Sequence, residues 1–266
     1  MLKVALGQFA VANTWQSNLG SCLGLIRCAV EQEARLLILP EGILARDITD
    51  PDLVRKSAQP LDGPFVSALC EATRGTRITL ITCVHVPVTP MQVANVQIAI
   101  RDGAIVARYH KLHLYDAFSG RESRNVLAGD AVPALVEVDG MRIGMMTCYD
   151  LRFPELARRL VIDGAQVLVL PAAWVKGPLK EMHWETLLRA RALENTSYVV
   201  AVGECGERNI GQSMVIDPLG VPVVQAGEAP ALIFATLDPE RLERARAALP
   251  VLANRRFGRP ELQSNR

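Results

Sequence analysis

Apolar runs rich in β-branched residues recur along the chain: "LKVALGQF" (2 to 9), "RLLILP" (35 to 40), "ITLITCV" (78 to 84), "RIGMMTC" (142 to 148), "QVLVLP" (166 to 171) and "YVVAVG" (198 to 203). Short continuous runs of this kind, bounded by turn formers, read as strands buried on both faces. Between several of them the apolar positions change to helical spacing: Leu19, Leu23, Ile26 and Val30, then Phe65, Val66, Leu69 and Ala72, then Met182, Leu187, Ala190 and Leu193. A further helix is predicted over 239 to 248. Strand and helix alternate, which is the pattern of an α/β fold.

Local turn chemistry adds antiparallel strands to that alternation. "VQIAIR" and "AIVARY" flank Asp102-Gly103, and Asp-Gly supplies the positive φ angles of a two-residue hairpin. A second turn is predicted at "DPLG" (217 to 220), between "SMVI" and "VPVV". The sheet content is therefore mixed. No Pro/Ser-rich linker or internal repeat divides the chain, so residues 1-266 read as a single domain, with loops at 45 to 62 and 115 to 132. The polar, basic tail from about 254, "NRRFGRPELQSNR", is expected to be solvated or to dock on a partner subunit.

Composition narrows the partners. Half of the 266 residues are hydrophobic, enough for a sizeable core, and 29 Lys and Arg against 28 Asp and Glu leave a formal charge of +1. That balance offers no footprint for nucleic acid or for an anionic membrane and favours a small-molecule partner. The amino-terminal residues lack the pattern of a secretion signal, and no apolar run reaches the roughly 20 residues of a membrane span, so a cytoplasmic protein is expected. Six cysteines without a C-x-x-C pair read as reduced thiols, most of them in the core.

Three reactive groups share one setting, the end of an apolar strand: "LLILPEG" delivers Glu41, "IVARYHKLHLYD" delivers Lys111 and "IGMMTCYD" delivers Cys148. Sites of α/β folds assemble at strand ends. Singly, Glu41 could cap a helix, Lys111 could be a solvated edge charge and Cys148 a core thiol. Together they point to chemistry.

The ordered set "PEG", "HKLHLYD" and "CYDLRFPELAR" resembles the nitrilase superfamily of carbon-nitrogen hydrolases, with its Glu-Lys-Cys triad in that order. The likeness runs from "VALGQF" to "IGQSMVIDPLG" (210 to 220). It implies a four-layer αββα sandwich with mixed sheets, stacked as a homodimer, and an amidase that forms a thioester on Cys148. Glu41 would carry the proton, and Lys111 with the Tyr149 amide would hold the oxyanion. Neither metal nor organic cofactor is implied.

The same resemblance suggests Glu122, in "GRESRN", as a second carboxylate that holds the Lys. It also suggests Arg152 as the group that grips a substrate carboxylate. The competing readings are a loop charge for Glu122 and an ion pair with Asp150 or Glu155 for Arg152. Trp174 could wall the pocket or simply pack. Lys176, Lys180 and His183 could meet further acidic groups or mark a solvated helix start. His110 with His113, and Cys83 with His85, fall short of a metal-ligand set. The extended motifs look most like the deaminated-glutathione amidase branch. ω-Amidase, N-carbamoyl amino acid hydrolysis, a non-catalytic binding protein and a Cys-His protease are the alternatives.

Overall fold

The computed structural model describes residues 1–47, 49–118 and 120–263. β1 (Leu2–Gln8), β2 (Leu36–Ile38) and β3 (Thr79–Pro87) run parallel, with α1 (Trp15–Glu31) between the first two and α2 (Leu53–Lys56) and α3 (Pro64–Thr73) between the second two. β4 (Val93–Arg101) and β5 (Ala104–His110) extend this sheet antiparallel, and the short β6 (Val126–Leu127) pairs with β4. The second sheet holds β7 (Val136–Val138), β8 (Met141–Met145), β9 (Val167–Ala172), β10 (Tyr198–Gly203), β11 (Met214–Ile216) and β12 (Pro222–Gln225). Its parallel centre, β8-β9-β10, is connected through α4 (Pro154–Ile162) and α5 (Lys180–Asn195). β13 (Ala231–Leu237) returns to pair antiparallel with β1, and α6 (Pro239–Ala248) and α7 (Val251–Asn254) follow.

The period of two along each strand sorts side chains into layers. Leu2, Val4, Leu6, Leu36 and Ile38 join Met145, Val167 and Val169 in the core between the sheets. Ala5, Leu37 and Leu80, one residue out of phase, pack instead with Ile26 of α1 and Phe65 of α3. Leu156 and Leu160 of α4 and Leu188 of α5 cover the second sheet. The order helix, sheet, sheet, helix is the αββα sandwich that the resemblance implied. Each of these aliphatic side chains contributes about 1.5–3 kcal/mol by leaving water.

Both hairpins form where turn chemistry predicted them. Asp102 and Gly103 have φ of 46° and 79°, and the Asp217 carboxylate accepts from the amides of Leu219 and Val221. The helix over 239 to 248 is α6, started by Asp238, whose carboxylate accepts from the Glu240 amide.

Two expectations need correction. The run 142 to 148 is not one strand: β8 ends at Met145, and Cys148–Arg152 is a 3₁₀ turn, because the Asp150 carboxylate captures the Thr147 amide at 2.8 Å. The third helix exists, but its buried face carries Trp184, Leu188 and Ala192 with Lys180 and Arg191, while Met182 and Leu193 are 53% and 45% exposed. Long side chains with polar ends took interior positions that hydrophobicity alone assigned elsewhere, Arg191 by donating to the Leu151 carbonyl. The tail is solvent-exposed over most of its described length and is tethered at two points: Arg259 pairs with Asp163 at 2.6 Å, and Arg159 donates to the Pro260 carbonyl. Ser264, Asn265 and Arg266 of that tail lie outside the described residues.

Candidate active site

Glu41 follows β2, Lys111 follows β5 and Cys148 follows β8, and the ends of these strands meet at one cavity of about 440 Å³. Lys111 reaches Glu41 at 2.9 Å and both oxygens of Glu122 at 3.1 and 2.8 Å. The lysine is thus a buried ammonium between two carboxylates. Gly129 secures the segment behind it: its amide donates to the Lys111 carbonyl, and a Cβ there would stand 2.3 Å from the His110 carbonyl oxygen.

Glu41 is anchored on every side. Its Oε1 also accepts from Asn95 Nδ2 at 2.8 Å, and its Oε2 accepts from the Ala173 amide at 3.0 Å. The Cys148 thiol sits among the Glu41 carboxylate, the Lys111 ammonium and the Ala173 amide, each of which shifts its proton equilibrium. Cys148 has φ of 44°, a left-handed conformation that a side chain with Cβ adopts at a cost of about 1–2 kcal/mol. The cost is offset by Asp150, fully buried, which accepts from Tyr109 Oη at 2.8 Å, from the His113 amide at 3.2 Å and from the Thr147 amide. The same carboxylate therefore braces the turn that carries the thiol and the loop just beyond Lys111.

Charge follows from this packing. Burial alone would raise Glu41, but Lys111 and Arg46 reverse that and hold it down at about 2. Burial works against the Lys111 cation, yet Glu122 and Glu41 outweigh it and its pKa lies well above the ordinary lysine value. Burial, then the Glu41 charge, pushes the Cys148 thiol well up. The resting site is carboxylate, ammonium and neutral thiol.

The cavity extends past Trp174, which is buried and donates its indole N–H to the Lys180 carbonyl at 2.9 Å. The Arg152 guanidinium carbon lies 4.9 Å from the centre of that ring and Lys180 Nζ 4.8 Å. Tyr149 lines the cavity and packs edge-on against Tyr115 at 5.2 Å.

A comparison with known proteins decides the family, since the model of the carbon-nitrogen hydrolases matches residues 3–247. The chain belongs to the carbon-nitrogen hydrolase family. It is 55% identical over 259 residues to the deaminated glutathione amidase of Escherichia coli O157:H7, across 97% of this chain and 99% of that protein. Among solved structures, Nit3 of Saccharomyces cerevisiae, a member of branch 10 of the nitrilase superfamily, superposes with a TM-score of 0.84 at 29% identity, covering 96% of this chain and 97% of the other. A variant amidase from Nesterenkonia sp. AN1, with acrylamide added at its active-site cysteine, superposes with a TM-score of 0.81 at 26% identity, over 94% and 98%.

Within this carbon-nitrogen hydrolase the geometry brings together Glu41, Lys111, Cys148 and Glu122, and around them Tyr149 and Trp174. Glu122 is not a loop charge: besides Lys111, it accepts from the Tyr115 amide at 2.6 Å. Arg152 makes neither expected ion pair, because the Asp150 carboxylate is consumed by its own turn. Arg152 instead contacts His183 Nδ1 at 3.3 Å. Lys180 is no solvated helix start, being 4% exposed, whereas Lys176 is exposed and donates to the Gly206 carbonyl. His113 serves Asp150 at 2.7 Å and stacks on Phe153. Among the described residues no group of three or more His, Cys, Asp or Glu is placed to hold a metal ion, and no helix is long and apolar enough to cross a membrane.

Sequence reasoning missed Asn95, Gln97, Arg46 and Glu204. Asn95 and Gln97 are one strand period apart; Asn95 touches Glu41 and Glu122, while Gln97 accepts from Thr147 Oγ1. Two amides inside the apolar "VANVQIAI" were the available signal, since buried polar groups need partners. Arg46 donates to the Glu41 carbonyl and pairs with Glu204 at 2.7 Å; no motif marked either residue.

Proposed function

We propose that this hydrolase cleaves the linear amide of deaminated glutathione through a thioester on Cys148, releasing cysteinylglycine and 2-oxoglutarate, and that it acts in the cytosol as a homodimer of single-domain chains with their helical layers stacked. The observation that carries the chemistry is the buried Lys111 ammonium bound to Glu41, with the Cys148 thiol beside both. The near full-length likeness to the E. coli amidase supports the substrate.

The reaction begins as Sγ attacks the amide carbon while the thiol proton passes to Glu41. A carboxylate held at about 2 is a weak base at rest. Its basicity rises during attack, because the oxyanion that forms against Lys111 draws on the field that had stabilised Glu41. The Tyr149 N–H is the second donor to that oxygen. Glu41 then passes the proton to the departing nitrogen, and the C–N bond breaks to leave the thioester. Water attacks next, giving one proton to Glu41; collapse expels the Cys148 sulfur, which recovers that proton. Glu122 keeps Lys111 aimed, Arg152 grips a substrate carboxylate and Trp174 walls the pocket. This route uses no metal or cofactor.

The test is product analysis with deaminated glutathione, 2-oxoglutaramate and an N-carbamoyl amino acid, using wild type and Cys148→Ala, on enzyme whose dimeric state is checked by sedimentation. The expected result is fastest release of cysteinylglycine from deaminated glutathione, and no turnover by the variant. Ammonia from 2-oxoglutaramate as the far faster reaction would favour an ω-amidase, and ammonia with carbon dioxide a carbamoylase. Turnover by Cys148→Ala would remove the thioester route.

A further inference from the structure

His85 has no assigned task. It stands on β3 directly opposite Asn95 of β4, a pairing that turns both side chains to one face of the sheet, and both line the cavity with Glu41 and Cys148. His85 is 5% exposed, and its Nδ1 is buried without a hydrogen-bond partner among the described residues. Asn95 Oδ1 is in the same condition, while Asn95 Nδ2 serves Glu41 and Glu122. A Cβ on Gly42, the residue after Glu41, would stand 3.1 Å from His85 Cε1 and 2.8 Å from Arg46 Nη2. The imidazole therefore packs against the backbone that carries Glu41, with a guanidinium beside it. Burial, then Arg46, lowers its pKa to about 4, so at neutral pH the ring is uncharged and one of its nitrogens is an acceptor. Unpartnered buried polar atoms in the wall of a polar cavity are matched by a small molecule that can donate to them.

We propose that His85 positions the water that opens the Cys148 thioester, by accepting a hydrogen bond from the O–H that Glu41 does not deprotonate. This rests on the thioester reading and concerns its second half alone. The water oxygen forms its bond to the carbonyl carbon through a lone pair, passes one proton to Glu41 and keeps the other in the new carboxylic acid. The C–S bond then breaks, and sulfur recovers the proton from Glu41. A water held by one hydrogen bond turns about it, so aiming the lone pair takes a second acceptor beside the base. Arg46 and Lys111 only donate, and Glu122 is already bound by Lys111, Asn95 and the Tyr115 amide. His85 is the uncharged acceptor against the Glu41 backbone, with Asn95 opposite it. The first half-reaction does not need it, because the nucleophile there is a thiol fixed by its own chain.

The experiment acylates Cys148 with p-nitrophenyl acetate in wild type, His85→Leu, His85→Phe and His85→Gln, and follows the nitrophenol burst together with the lifetime of the acetyl adduct by intact-protein mass. The burst should stay within about threefold of wild type in every variant, which also reports an intact site. The adduct should last roughly 30-fold longer or more in His85→Leu and in His85→Phe, whose flat ring lacks the nitrogens. It should shorten again substantially in His85→Gln, whose amide oxygen accepts. 2-Oxoglutaramate and deaminated glutathione give the same acyl group, so their kcat values should converge in His85→Leu as hydrolysis of the shared thioester becomes limiting. An adduct of unchanged lifetime, or a burst slowed as much as hydrolysis in both His85→Leu and His85→Phe, overturns the proposal and leaves the thioester route standing. No adduct in wild type removes the thioester reading and the proposal with it.

Discussion

Lys111 and Lys180 line the same cavity at 2% and 4% exposure, yet Lys111 is held between Glu41 and Glu122 whereas Lys180 faces aromatic rings and another cation. Lys111 is compensated within the chain, and its pKa is raised by its partners against the effect of burial. Lys180 is not, and burial followed by Arg152 moves its pKa down. The first arrangement suits a group that must point at one atom before substrate arrives, since preorganised charge needs no rearrangement during reaction. The second suits a group whose partner comes and goes. One candidate active site thus holds two amines of the same type whose settings differ by where the counter-charge resides.

Removing the compensated lysine should have the largest effect. Lys111→Met strands the buried Glu41 carboxylate and the half-buried Glu122, so kcat should fall by at least ~10³-fold and stability by about 3–5 kcal/mol in urea unfolding; a variant as stable as wild type would break the contrast. A related change should appear on acidification. The folded-state pKa of Glu41, about 2, lies below its ordinary 4.5, so its contribution is full above pH 4.5 and disappears as pH falls toward 2, an effect on the order of 3 kcal/mol. Lys111→Met should lose that pH dependence. Glu122→Gln is milder, because the amide oxygen still accepts from Lys111: turnover should drop roughly 10–100-fold with little shift in melting temperature, and turnover near wild type would exclude a positioning role. Lys180→Met should change stability least, within about 1 kcal/mol of wild type, because the aliphatic stem keeps its packing while an unpaired charge is removed. A loss above 2 kcal/mol would make Lys180 a structural residue and erase the comparison.

The legible parts of the molecule are those governed by neighbours in sequence. Asp102-Gly103 turns as its own dihedral preferences require, and the runs at 2 to 9, 166 to 171 and 198 to 203 are strands because they are apolar on both faces. The motifs around Glu41, Lys111 and Cys148 carried the site through a resemblance rather than through periodicity. What stayed hidden depended on distant partners. The sharp turn at Cys148 requires the Asp150 carboxylate to be held by Tyr109 and His113 from another sheet's margin. The face of α5 was misread because Lys180 and Arg191 take buried positions, Arg191 by donating to the Leu151 carbonyl.

The order of strands and helices, the two hairpins and the supply of reactive side chains at strand ends are properties of the linear chain, because backbone dihedral preference and the alternation of apolar residues act over a few positions. Which carboxylate faces which amine was decided only when the two sheets packed. Burial removes water as the alternative partner, so a charged group's behaviour is then set by the side chains that the fold places within a few ångströms of it.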